Sequence, residues 1–339
     1  MFKRQTLFVL GAGSSFEAGL PVGQEIARTI GKKADIRFEG FNQPVSDGDF
    51  PLFGQVTNSF QDHPNEFQQA AWLIRDGIAF AQSIDDFLDQ HRTNAYVNTY
   101  GKAAIAKTIV EAEQNYKLYF NRFQGQEMFD GSALANTWFV KFMYMLGRGV
   151  PKENVREILD NVAFIVFNYD RCLEFFLVHA IRRLYRIEEQ EAQSIVDDLH
   201  IVHPYGMVPR SIPFGNPGTN FVRVASQIKT YTEQLGAGGI IDEIAAELNR
   251  AQCVVFLGFA YHNQNMNLLR PGERVNMRPI FGTAFGLSDA DVEVVSHDLA
   301  SFFKPPMNTH TRSRMIRLEN KLKSADLFDH YARSLTGGD

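Results

Sequence analysis

Cysteine is nearly missing from this chain: Cys172 and Cys253 are the only two among 339 residues. Two thiols cannot build a disulfide framework, and so few in a chain of this size read as intracellular, with a cytoplasmic setting expected. Nor can two cysteines supply a four-cysteine zinc ribbon. Long apolar runs are missing too. No stretch approaches the roughly 18 residues that suggest a membrane-crossing helix, so no membrane association is expected. The opening residues, Met1 to Leu10, set a basic front before a short apolar stretch. Gly11 to Ser15 and Glu17 come at once, which reads as a buried strand entering a glycine loop rather than as a signal peptide. An excess of basic charge is the third absence. Thirty-four Lys and Arg stand against 39 Asp and Glu, a formal net charge of −5. Nucleic-acid affinity rests largely on basic side chains neutralising phosphates, so no direct nucleic-acid binding is expected. Metal-ligand spacing is absent as well. On an extended segment the odd separation of His200 and His203 puts them on opposite faces, and no metal is expected.

What is there begins with five short apolar runs: Leu7–Leu10, Ala163–Phe167, Leu199–Val202, Cys253–Leu257 and Pro279–Phe281. Their length and β-branched or aromatic content predict buried strands. Helical patterns at Cys172–Leu184, Gly239–Leu248 and Ser288–Phe302 separate or follow them. Strand–helix alternation predicts an α/β fold with a Rossmann-like, mostly parallel sheet. Between the first two strands, Phe67–Phe80, Ser83–His91, Lys102–Phe120 and Ala133–Leu146 read as helices, a large insert hung on the core. The expected organisation is one domain over residues 1–310, its core split into 1–33 and 160–310. The insert covers about 34–159, and a helical tail covers 311–339. Within the tail, Ser313–Leu335 sets Met315, Leu318, Leu322, Ala325 and Phe328 near one helical face. Lys33–Pro51, Pro204–Asn220 (with Pro204, Pro209, Pro213 and Pro217) and Pro271–Pro279 read as long loops, the kind that serve as lids or mobile segments.

The chemistry is carried by the residues just beyond each strand. The five runs end in Gly11-Ala-Gly-Ser-Ser15, Asn168-Tyr-Asp170, His203-Pro-Tyr-Gly206, Gly258-Phe-Ala-Tyr-His262 and Gly282-Thr-Ala-Phe-Gly286. Open parallel sheets bind ligands outside the carboxyl ends of their strands, so these five ends predict one shared pocket. Gly11 and Gly13 let backbone approach a phosphate, Ser14 and Ser15 offer hydroxyls, and a helix starting there would aim free N–H groups at an anion. The third glycine of the usual dinucleotide fingerprint is replaced by Phe16, and the next glycine is Gly19. Asp170 suits a helix N-cap. His203 is better placed for pocket chemistry than His200, and His262 reads as a loop or helix-start residue.

Taken in order, Gly11-Ala-Gly-Ser-Ser15 with Gly19-Leu-Pro21, Phe167-Asn-Tyr-Asp170, His203 with Gly206, Phe256-Leu-Gly-Phe259 and Gly282-Thr-Ala284 resemble the sirtuin-like NAD-binding family. The resemblance runs along most of residues 5–300. It implies a Rossmann-like pocket for NAD with a helical module beside it. It implies that Gly11, Ala12, Gly13 and Ser14, with Ser15 and Gly19 of the same motif, line the pyrophosphate. Asn168 and Asp170 would lie near the nicotinamide ribose. His203 would be the catalytic histidine, and Gly258 and Thr283 would lie near the adenosine. Two departures count. Protein deacylases of the family carry a four-cysteine zinc module, which this chain cannot build. They also set glycine directly after the histidine, where this chain has Pro204.

With its large insert, the sequence looks more like the bacterial branch of the family that degrades NAD, many of whose members serve anti-phage defence. That likeness implies an NAD hydrolase, with NAD as substrate and Asn168, His203 and Asp170 as catalytic residues. It also implies a homo-oligomer or a separate sensor or ATPase-type partner as trigger. Other readings remain: a non-catalytic NAD or nucleotide sensor, a dehydrogenase, or a deacylase. A dehydrogenase wants an acid at the end of the second strand, and neither Glu25 nor Glu39 follows a convincing strand.

Overall fold

Each of the five apolar runs overlaps a strand, and all five strands lie in one sheet. The computed structural model describes residues 1–339 except 41–42, 62, 217, 234–238 and 338–339; of the predicted loop residues, Pro217 lies outside the described residues. The strands are β1 (Thr6–Leu10), β2 (Val162–Val166), β3 (Ile201–Val202), β4 (Cys253–Leu257), β5 (Ile280–Thr283) and β6 (Ile316–Glu319). Their spatial order is β6-β5-β4-β1-β2-β3, and every neighbouring pair is parallel. This is the doubly wound order of dinucleotide-binding folds, and the chain reverses direction across the sheet between β1 and β4. The fold is α/β and Rossmann-like, with the helical insert between β1 and β2.

β6 was not foreseen. The predicted helical tail instead forms a helix at Thr309–Met315, the strand, and a helix at Ser324–Thr336. Ile316 pairs with Ile280 and Glu319 with Thr283. The reason is local: Ile316-Arg-Leu-Glu319 alternates apolar and charged with period two, the mark of an edge strand. The tail therefore completes the sheet with this strand, while its last helix docks on the body through Leu327, Phe328 and Leu335.

β1, β2 and β4 are buried along their whole length, so side chains sort to the two faces by parity alone. Leu7 and Val9 meet Ile30 and the insert's Ile74, Ile105 and Ile109 in one core. Phe8 and Leu10 meet Phe142, Phe164, Phe176 and Phe328 in the other. Phe8 stacks on Phe164 at 5.2 Å and meets Phe142 edge-on at 5.1 Å. Each such ring contributes about 2–3 kcal/mol by leaving water. The insert is thus no module hung beside the core. Its helices Pro64–Gly77 and Ala95–Gln114 join the core helix Gly23–Lys33 on one face, while Trp138–Gly147 joins Cys172–Tyr185 on the other. The longest insert helix starts at Ala95, seven residues before the expected Lys102, because Asn94 caps it by accepting from Tyr96 and Val97 N–H, both at 3.1 Å.

Glu17 fastens these layers to the glycine loop. One carboxylate oxygen accepts from Trp138 N–H at 2.9 Å, and the other accepts from Ala325 N–H at 2.8 Å. Both donors sit in the first turns of helices, where a negative charge is favoured. Burial nevertheless raises the carboxyl above its ordinary range, against the lowering effect of those two bonds. Among the described residues no helix is long and apolar enough to cross a membrane.

Candidate functional site

The reversal point between β1 and β4 is closed by glycine against glycine. Gly11 N–H donates to Leu257 O and Gly13 N–H to Gly258 O, both at 3.0 Å. A Cβ on Gly11 would stand 2.6 Å from Gly258 O, and one on Gly13 would stand 2.8 Å from Gly258 Cα. Gly258 itself has φ +56, and its Cβ would fall 2.0 Å from Ser14 N. The sequence suggested that these glycines open the backbone to a phosphate. Their immediate cause is different: two strand-end loops touch backbone to backbone. The expected anion-binding helix is also slight. It spans only Ala12–Phe16, Gly13 N–H is engaged by Gly258, and Ser14 N–H bonds Gly11 O at 2.9 Å. Ala12 is half-buried in its first turn. Gly19 makes the left-handed turn beyond its end at φ +111. Thr283, at the end of β5, joins the same corner by accepting from Gly258 N–H at 2.8 Å.

On the β2 side the contacts run through side chains. Asn168 Nδ2 donates to Gly11 O at 3.2 Å and to Ser15 Oγ at 3.4 Å. Ser15 Oγ donates to Asp170 Oδ2 at 3.0 Å, and Asp170 Oδ1 accepts from Cys172 N–H at 3.0 Å. Asp170 therefore braces the start of the helix Cys172–Tyr185 and holds Ser15 at once. Burial raises its carboxyl above the usual range, partly offset by bonds from Cys172 and Ser15. A dehydrogenase would hold its ribose-binding acid near this point of the second strand, yet both Asp170 oxygens are engaged inside the protein. Glu25 is engaged too, accepting from Val22 N–H at 3.1 Å. In contrast, Asn168 Oδ1 is buried with no hydrogen-bond partner among the described residues.

His203 follows β3 and pairs with a residue that the sequence reading missed. Its Nε2 lies 2.9 Å from Glu174 Oε1, and the two side chains are only 10% and 4% exposed. Burial would raise the Glu174 carboxyl, but His203, with help from Arg210 3.4 Å from Oε1, outweighs that and holds it below the usual range. An ionised Glu174 accepts only, so Nε2 carries the proton of this bond, and the other ring nitrogen is Nδ1. That Nδ1 is also buried without a partner among the described residues. Native interiors rarely leave buried polar atoms unpaired, so each such atom calls for an explanation. His203 bonds Glu174 rather than the Asn168–Ser15–Asp170 chain. His200 is exposed, 3.7 Å from Glu247, and His262 stands at the N-cap of Asn263–Leu269.

Two buried side chains fix the surroundings. Arg171 pairs in a fork with Glu113, at 3.0 and 2.9 Å. It also donates to the carbonyls of Pro209, Ile212 and Pro213. Gly215 N–H reaches Glu113 at 2.8 Å, and Val208 N–H reaches Tyr169 O at 3.0 Å. The described part of Pro204–Asn220, expected as a lid or mobile segment, is a pinned wall. On the opposite side, Tyr169 OH donates to Asp85 in the first turn of the insert helix Ile84–Gln90. Burial pushes the Asp85 carboxyl up to about 7.

Glu174 was legible in one respect: it is an acid within the apolar stripe of Leu173, Phe176 and Leu177, where an unpaired charge is not tolerated. Nothing in the sequence pointed to His203 as its partner. Cys172 and Cys253 are free and buried. Among the described residues no three histidine, cysteine or acidic side chains gather as a metal site would require. Compared with known proteins, the chain matches no family model and no curated sequence.

Proposed function

We propose that this protein hydrolyses NAD at the bond between nicotinamide and ribose, releasing nicotinamide and ADP-ribose. The observation that carries this reading is the pair of unpartnered buried atoms, Asn168 Oδ1 and His203 Nδ1, on loops that leave neighbouring strands at the carboxyl edge of a doubly wound sheet. The chemistry asks little more. Nicotinamide leaves from a cationic ring and needs no acid to protonate it, and the transition state resembles the oxocarbenium ion of glycoside cleavage. Asn168, its amide NH₂ fixed by Gly11 and Ser15, offers its oxygen to a ribose hydroxyl or to the attacking water. His203 takes the proton of that water or hydroxyl on Nδ1. Glu174, bonded to Nε2, fixes the tautomer and stabilises the imidazolium that forms. Asp170 holds Ser15 and the helix start in place and so acts as a positioning residue.

The likeness to NAD-degrading sirtuin-like proteins supports the same reading, and with it a role in anti-phage defence and activation by self-assembly or a separate partner. The test is to incubate the full chain with NAD, alone and with candidate activators, and to measure nicotinamide and ADP-ribose. Release of both, lost in Asn168→Ala and His203→Ala, is the expected result. Undiminished release from both variants would refute the residue assignment, and a reduced cofactor formed from NAD and a hydride donor would revive the dehydrogenase.

A further inference from the structure

A cavity of about 770 Å³ lies beside the helix Cys172–Tyr185, and none of the strand-end residues Gly11 to Ser15, Asn168, Asp170, Gly258 or Thr283 lines it. Its size is that of a small-molecule site, and its wall combines aromatic surface with a few converging polar groups. Phe175 and Phe214 stack directly on each other in its wall, their centroids 4.1 Å apart. His179 lies edge-on to Phe175 at 4.6 Å and to Phe120 at 5.0 Å. Burial pushes the His179 imidazole down to about 4, so the ring is neutral at ordinary pH.

Two wall residues keep a buried polar atom without a partner among the described residues: Glu174 Oε2 and His179 Nδ1. The cations of the wall are already engaged. Arg171 is held by Glu113 and three carbonyls, Arg122 by Glu189, and Arg210 by Asp197 and Glu174. An anionic ligand would find no unpaired cation among these three and would face the Glu174 carboxylate. A ligand carrying N–H donors would find an acceptor there, since an ionised carboxylate only accepts.

We infer that this cavity is a second binding site, for a flat, uncharged heteroaromatic molecule with an exocyclic amino group, of which a purine base is the model. The amino group donates to Glu174 Oε2, His179 Nδ1 pairs with the ring edge, and the stacked Phe175–Phe214 pair offers apolar wall surface. Because Glu174 Oε1 holds His203, the occupant also adjusts the proposed base, a consequence that rests on the hydrolase reading.

The experiment is calorimetric titration of the full-length protein with adenine, alone and with excess ADP-ribose. Saturable binding, unchanged by ADP-ribose and weakened at least about tenfold by Phe214→Ala and by His179→Phe, is the expected result. Gln193→Trp, which fills the cavity from a neighbouring helix, should abolish binding and leave the thermal unfolding midpoint in place, separating cavity loss from misfolding. No saturable binding of adenine would overturn the inference. So would binding that ADP-ribose displaces and Phe214→Ala leaves alone, since adenine would then occupy the strand-end site. A protein that cleaves no NAD yet binds adenine in this way retains the site and loses only the link to His203.

Discussion

On one flank of the reversal point, Gly11 and Gly13 meet Gly258 with no side chain between them, and backbone N–H and C=O groups satisfy each other. On the other flank, side chains bond in two separate sets, Asn168–Ser15–Asp170 and His203–Glu174, and three of their buried atoms have no partner among the described residues: Asn168 Oδ1, His203 Nδ1 and Glu174 Oε2. Apart from Glu174, which lies in the helix Cys172–Tyr185, the residues of both flanks follow strands of the same sheet and were read from the sequence as site residues. The glycine flank is engaged with itself and serves shape. The side-chain flank holds polar groups that the fold does not use, and reactivity is expected there.

Substitutions should separate the two flanks. The largest effect is expected from Asn168→Ala and His203→Ala, each lowering NAD cleavage by about 10²- to 10⁴-fold with denaturant midpoints little changed. A loss of rate that merely tracks a loss of folded protein would erase the distinction. Gly258→Ala should behave in the opposite way. A methyl group at φ +56, 2.0 Å from Ser14 N, is expected to cost about 3 kcal/mol or more of stability, read from urea unfolding. Near-normal stability would show that the loops part easily and that the glycines are free to serve a ligand after all.

Smaller effects sharpen the side-chain flank. Glu174→Gln should lower kcat by about 10- to 100-fold with KM unchanged. Combined with His203→Ala it should add almost nothing, because the two act as a unit; additive losses would make Glu174 merely structural. Asp85→Asn tests the insert's hold on Tyr169. A carboxyl raised to about 7 in the fold favours the protonated form. Its stabilising contribution is complete below the unfolded pKa of about 4 and is lost as pH rises through about 7. Asp85→Asn should therefore flatten the fall in stability between pH 4 and 7 by about 3 kcal/mol, measured as thermal midpoints against pH. Identical slopes in the two proteins would show that Asp85 is better solvated than its contact with Tyr169 implies.

Strands buried on both faces announce themselves as apolar runs, which is why β1, β2, β4 and β5 could be read from the sequence, while β3, a short edge strand, sits inside the longer apolar run Leu199–Val202. β6, an edge strand with Arg317 and Glu319 alternating against Ile316 and Leu318, carried a weaker signal and was hidden by an accidental helical spacing. The strand-end residues were legible because the reversal point of a parallel sheet is fixed by topology. The Glu174–His203 pair was not, since it joins two elements whose approach depends on how the helix after β2 packs. The rigidity of the wall at residues 204–216 was hidden for the same reason. Its prolines and glycines suggest freedom, and only the fold shows Arg171 gripping its carbonyls.

The sheet's connectivity has a cost in time. Leu7 pairs Ala163 on one side and Val254 on the other, so this central strand finds both its neighbours only far along the chain. Closing such long loops is entropically slow. Until Cys253–Leu257 has emerged from the ribosome, one edge of β1 stays open beside Phe8 and Val9, a standing risk of aggregation. Refolding in vitro should accordingly be slow and sensitive to protein concentration, however stable the finished molecule is.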